Sequence, residues 1–216
     1  MPEKRPYRPP NRPHGVRNPK LIIIATEGLK TEPRYFDALA IFYGSSRTHV
    51  QVLKRLESAS DPQRVLNQLQ EFRRKYSLKP IDELWLVIDV DRWTSQMLSD
   101  VTSQALQMGA SLAVSNPCFE IWLLLHHHAL SDYDQSVLDE FLQNGKDGTS
   151  RSRLERELIA IVGEYNKTTL NTNGYIPNVD KAIQNAELAD TCPDERWPQE
   201  VGAHVYRLAK HIIEKK

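Results

Sequence analysis

Two cysteines in 216 residues, Cys118 and Cys192, are too few for a disulfide framework or a cysteine-based zinc site. No apolar run approaches the ~20 residues that a membrane-spanning helix needs. The N-terminus carries no apolar signal core, so secretion is not expected and a reducing cytoplasm is the expected location. There is no Gly-x-x-x-x-Gly-Lys-[Ser/Thr] loop, so the chain is not itself a P-loop ATPase. A Gly-x-Ser-x-Gly elbow and a zinc-spaced Cys/His set are also missing. No internal repeat is evident.

Net charge is missing too, since 28 basic residues balance 28 acidic ones. That balance hides an asymmetry. Within residues 1–20, Lys4, Arg5, Arg8, Arg12, Arg17 and Lys20 face Glu3 alone, so the rest of the chain is acidic. Pro2, Pro6, Pro9, Pro10, Pro13 and Pro19 deny this segment a helix or a central strand. Residues 1–19 therefore read as a flexible basic arm. Arg5, Arg8, Arg12 and Arg17 are candidates for following a phosphate backbone; a solvated tail is the alternative.

From Lys20 onward strand and helix patterns alternate. Leu21 to Thr26 is a continuous apolar run, as in a strand covered on both faces. Tyr35, Phe36, Leu39, Ala40 and Phe42 give Thr31 to Tyr43 a helical spacing. His49 to Leu56 reads as a second strand. Asp61-Pro62 opens a helix marked by Val65, Leu66, Leu69, Phe72 and Tyr76. Glu83 to Asp89 is a third strand. Gln96 to Met108 is a helix with Met97, Val101, Ala105 and Met108 on one face, stopped by Gly109. Ser111 to Ser115 is a fourth strand, and Asn116-Pro117 starts a further helix with Trp122 in the core. The pattern predicts an α/β fold over residues 20–129, with a central, mainly parallel four-stranded sheet flanked by helices. Residues 130–216 read as a C-terminal helical extension packed on that core. It holds a loop from Gln143 to Ser150 and a capping box at Ser152-Arg153-Leu154-Glu155 opening a helix to Tyr165. Thr168 to Pro177 is turn-rich, and helices follow around Val179 to Ala189 and Glu200 to Ile213.

The chemistry is concentrated where three strands run out. Glu27 and Glu32 follow the first, Asp89 and Asp91 the third, and Glu120 the fourth. In an open parallel sheet these ends share one edge, where ligands bind. Carboxylates gathered there repel one another unless a cation joins them, and oxygen ligands suit a hard divalent ion. Asp89 and Asp91 can hold Mg²⁺ together only if the chain turns after the strand. Glu27 suits a ligand or a proton acceptor, and Glu32 a second ion. Gly28 permits close backbone approach, and Lys30 suits a phosphate oxygen. Each acid also has a plainer reading, as a helix-start charge or a polar loop residue. Only their joint placement argues for a site. His126-His127-His128 cannot serve one ion from a regular helix and reads as surface. Lys167, Lys181 and Arg207 suit either a nucleic-acid groove or an ordinary surface.

The segments Ala25-Thr26-Glu27-Gly28-Leu29-Lys30-Thr31-Glu32-Pro33, Val87-Ile88-Asp89-Val90-Asp91 and Ser115-Asn116-Pro117-Cys118-Phe119-Glu120-Ile121-Trp122 resemble the RloB family. These are Toprim-like proteins of bacterial restriction and phage-defence loci. The resemblance implies a Toprim-like sheet and a Mg²⁺-dependent nuclease (Mn²⁺ as substitute) acting on RNA, tRNA included, or on DNA. It implies Glu27 as general acid/base or ligand, Asp89 and Asp91 as ligands, and a less defined role for Glu120. It also implies an ATPase partner encoded nearby, with self-association left open and no membrane. Where many Toprim sequences place a Gly after Asp-x-Asp, this chain has Arg92-Trp93-Thr94, which makes Arg92 a candidate phosphate clamp. Two other functions stay open: a non-catalytic metal- or nucleotide-binding module docked on an ATPase, and a phosphotransferase acting on small nucleotides.

Overall fold

A computed structural model describes residues 5–6, 19–45, 47–54, 61–148 and 150–213. Arg8, Arg12 and Arg17 of the arm, and Leu56 at the expected end of the second strand, lie outside the described residues. In chain order, β1 (Arg5–Pro6) and β2 (Lys20–Thr26) precede α1 (Thr31–Tyr43). β3 (Thr48–Val52), α2 (Pro62–Lys75), β4 (Tyr76–Ser77) and β5 (Glu83–Asp89) follow. Next come α3 (Ser95–Gln107), β6 (Ala110–Asn116) and α4 (Glu120–Leu125). The C-terminal part supplies α5 (Gln135–Gln143), α6 (Arg153–Val162), α7 (Val179–Ala189), β7 (Gly202–Ala203) and α8 (Val205–Ile212).

The main sheet has the order β3-β2-β5-β6-β7. Its first four strands are parallel, and β7 joins β6 antiparallel. This corrects the expected four strands to five. β7 is only two residues long, so it shows no alternation in the sequence. It forms because Ser115 and Asn116 at the end of β6 offer backbone groups that need partners, and Ala203 and Gly202 meet them.

Apolar runs that are hydrophobic at every position fit a sheet covered on both faces. Leu21, Ile23 and Ala25 face one layer, with Leu84, Leu86, Ile88 and the buried sides of α2 and α3. Ile22 and Ile24 face the other, with Trp85, Val87, α1, α4 and the C-terminal helices. Trp122 is fully buried in this second layer, as expected. Asp61 caps α2 by accepting from the Gln63 amide, with Pro62 in the first turn.

Several boundaries differ from expectation. β3 ends at Val52. The Asn116–Pro117 peptide is cis, and α4 starts only at Glu120. In α3 Val101 and Ala105 are buried as expected, but Leu98 is buried in place of Met97, which is 41% exposed. α6 stops at Val162 because Gly163 adopts φ +81° and its amide bonds Ile159, leaving Tyr165 outside the helix. α8 begins at Val205, since Gly202 and Ala203 are spent on β7. His126 is buried, not exposed: it bonds the Tyr35 hydroxyl at 3.0 Å and the Trp122 carbonyl at 2.9 Å. α5 was not anticipated from the sequence. β1 pairs parallel with β4, directly after α2. That places Arg5 at the end of the sheet opposite to the carboxyl edge.

Candidate functional site

Three strand ends deliver their acids to one pocket of about 210 Å³. Glu27, Glu32, Asp89 and Glu120 line it, together with Lys30, Arg92 and Lys167. Asp91 stands at its margin, with the Arg92 guanidinium 3.8 Å from its carboxylate. The turn required after β5 is present. The Val90 amide bonds the carbonyls of Ser115 and Pro117, and the Asp91 amide bonds Pro117 at 3.0 Å. Backbone contacts with the next strand end thus swing Asp91 out of the strand's alternation.

Each carboxylate has a distinct set of partners. Glu27 is buried; it accepts from the Asp89 amide at 3.1 Å and from the Trp93 indole at 3.1 and 3.2 Å. Glu32 folds back from the first turn of α1 to accept from the Gly28 amide at 2.8 Å. A Cβ on residue 28 would lie 1.8 Å from the Glu32 carboxylate, so only glycine permits that approach. Glu120 accepts from the Tyr165 hydroxyl at 2.8 Å and pairs with the Lys167 ammonium at 2.8 Å. Lys167 also pairs with Glu155 of α6 at 2.9 Å, and its carbonyl accepts from Thr31.

The electrostatics reflect burial first and mutual repulsion second. Burial raises Asp89 well above the usual carboxylate range, and Glu32, Glu27, Glu120 and Asp91 raise it further. Glu32 is pushed up to about 7 by burial and by Glu120 and Glu27. Glu27 and Asp91 are raised as well, chiefly by burial, with Arg92 opposing. Glu120 alone moves down: burial would raise it, but Lys167, Cys118 and Tyr165 outweigh burial. The Lys167 ammonium therefore neutralises Glu120, and the Arg92 guanidinium offsets Asp91 and Glu27 in part, which leaves Glu32 and Asp89 short of positive charge.

Among the described residues, no group of three or more His, Cys, Asp or Glu side chains is placed to hold a metal as it stands. Glu27, Glu32 and Glu120 each accept hydrogen bonds from protein donors. The donor set itself is all oxygen and self-repelling, with Glu27, Glu32 and Glu120 buried, which fits a hard divalent cation.

Of the residues singled out in the sequence, Glu27, Lys30, Glu32, Asp89, Arg92 and Glu120 meet in the pocket, with Asp91 beside them. Arg5 does not join them. Lys167, which suited either a nucleic-acid groove or an ordinary surface, sits on the pocket wall. Trp93, Tyr165 and Glu155 were not anticipated. Trp93 carried a signal, since an indole four residues beyond a buried strand needs a hydrogen-bond acceptor. Tyr165 and Lys167 lie in a turn-rich segment whose position no local pattern reports.

Such a sheet, with acids gathered at its carboxyl edge, defines an α/β protein whose site lies where open parallel sheets bind ligands. The chain belongs to the RloB-like protein family, whose model matches residues 22–212. No curated protein and no solved structure matches it. Among the described residues, no helix is long and apolar enough to cross a membrane.

Proposed function

We propose that the chain is a Toprim-like, divalent-metal-dependent nuclease that hydrolyses phosphodiesters of RNA, tRNA among them, or of DNA in defence against phage. The observation that carries this reading is the convergence of Glu27, Glu32, Asp89 and Glu120 from three strand ends on one pocket rimmed by Lys30 and Arg92. Glu27, Asp89 and Asp91 would hold Mg²⁺ or Mn²⁺, with Glu32 and Glu120 next to them. When bound, the ion supplies Lewis-acid stabilisation of phosphate charge and a more acidic attacking water. The protein does the rest. Water forms a bond to phosphorus as the bond to the leaving oxygen breaks, and the Glu27 carboxylate takes the water's proton. Burial makes Glu27 a stronger base than an exposed glutamate, and the Trp93 indole fixes its orientation. Lys30 and Arg92 face the non-bridging oxygens.

A second reading, a non-catalytic module that docks on an ATPase, draws on the protein donors already bonded to the carboxylates. One experiment separates the two. Wild type, Glu27→Gln and Asp89→Asn are expressed with the neighbouring ATPase, and total RNA and DNA are examined after phage challenge. The nuclease reading expects fragments from wild type alone, lost on chelation, with all three proteins folded and still bound to the partner. Intact nucleic acid in all three with unchanged defence would overturn it in favour of the module.

A further inference from the structure

A second cavity, of about 400 Å³, opens beside the acidic pocket. It falls within the ~300–1,000 Å³ range of small-molecule sites. The segment that links α6 to α7 forms most of it. Tyr165 connects the two spaces, because it lines this cavity while its hydroxyl reaches Glu120 in the acidic pocket. The walls are mixed: Ile159, Val162 and Leu170 are apolar, and Asn166 and Asn171 bring amides whose oxygens already accept from Thr168 and Asn173, with the Asn171 amide also donating to Glu164. One acid, Glu164, and one base, Arg151, leave it without the positive excess an anion would require.

The decisive group is Tyr175. It lines the cavity, is 2% exposed, and its buried hydroxyl has no hydrogen-bond partner. The rings of His126 and His127 pack edge-on against it, with centroids 5.7 and 5.5 Å away. A buried hydroxyl without a partner is destabilising unless something else bonds it. A neutral, flat heterocycle with apolar faces and donor and acceptor edges matches this lining: its faces suit tyrosine and aliphatic walls, and its edges suit amides and a hydroxyl.

We infer that this cavity binds the nucleobase of a nucleotide flanking the scissile phosphate, with Tyr175 bonding the base edge. This rests on the nuclease reading for the identity of the ligand, though not for the existence of the site. It makes the preferred substrate a strand whose base is unstacked next to the cleavage point.

The test uses the four ribonucleosides, which lack phosphate, titrated onto the full chain in chelator and followed by saturation-transfer NMR. At least one nucleoside should bind wild type and Glu27→Gln alike, and bind Tyr175→Phe about tenfold more weakly. Tyr175→Phe should also melt no lower than wild type, whereas removing a structurally bonded hydroxyl would lower its Tm. Absence of nucleoside binding to wild type, or equal binding by Tyr175→Phe, overturns the inference even if the chain cleaves nucleic acid. Nucleoside binding by a chain that never cleaves would leave this site standing and remove the nuclease reading.

Discussion

Lys167 shows how one residue sets the state of the site. Its ammonium lies 2.8 Å from buried Glu120 and 2.9 Å from Glu155, so it already supplies part of the positive charge that the acids demand. Removing one partner of a fully buried pair costs about 3–5 kcal/mol. The Lys167 side chain is 49% exposed, and exposed pairs contribute about 0–1 kcal/mol. Lys167→Met should therefore destabilise the chelator-treated protein by an intermediate amount, about 1–2 kcal/mol in denaturant unfolding. Mg²⁺ should recover part of that loss, since it replaces the missing charge beside Glu120. An identical loss with and without Mg²⁺ would show that no cation enters the carboxylate cluster.

At the scale of elements, the end of α6 decides where the site's third wall falls. Gly163 holds φ +81° and releases the chain from the helix, which carries Tyr165 and Lys167 to Glu120 two and four residues later. Gly109 terminates α3 with φ +76°, and like Gly163 it has open space where a Cβ would stand. Alanine at either position should cost about 1 kcal/mol through backbone strain alone. The two variants make a matched pair. Gly163→Ala should also weaken whatever activity or cation binding the acidic pocket has, while Gly109→Ala should leave it unchanged. Equal effects on the site from both would mean that the Gly163 turn does not position it.

For the molecule as a whole, the buried carboxylates tie stability to pH. Glu32 is raised from 4.5 to about 7, and Glu27, Asp89 and Asp91 are raised as well. Each raised acid contributes stability that is fully present below its unfolded value and lost as pH rises through its folded value. The buried histidines act the other way. His126 is lowered from 6.5 to about 3 by burial, so stability falls as pH drops below 6.5 and the unfolded chain takes up protons. Glu83, held near 2 by His211, Lys20 and Trp85 against its burial, adds to the loss at lower pH. In chelator, Tm should accordingly rise as pH is lowered from about 8 to about 6.5, and stop rising below that. Saturating Mg²⁺ should raise Tm most at the alkaline end, where it competes with the fewest protons. A Tm in chelator that is flat or falls over that interval would contradict the raised carboxylates.

Much of this protein is written in local pattern. The doubly covered strands, the capped start of α2, the glycine stop after α3 and the acids at the strand ends all follow from nearest-neighbour spacing, because burial on both faces and capping are local demands. The convergence of Glu27, Asp89 and Glu120 was also legible, since parallel connection brings successive strand ends to one edge. What the sequence could not decide depends on partners distant along the chain. β7 is a strand only because β6 has an open edge, and His126 is buried only because the Tyr35 hydroxyl and the C-terminal helices enclose it. Lys167 is a member of the acidic site only because a turn after α6 folds back over Glu120. Local periodicity reports which face of an element is apolar; it carries no record of which distant loop will close over a charge, and that choice belongs to the tertiary fold.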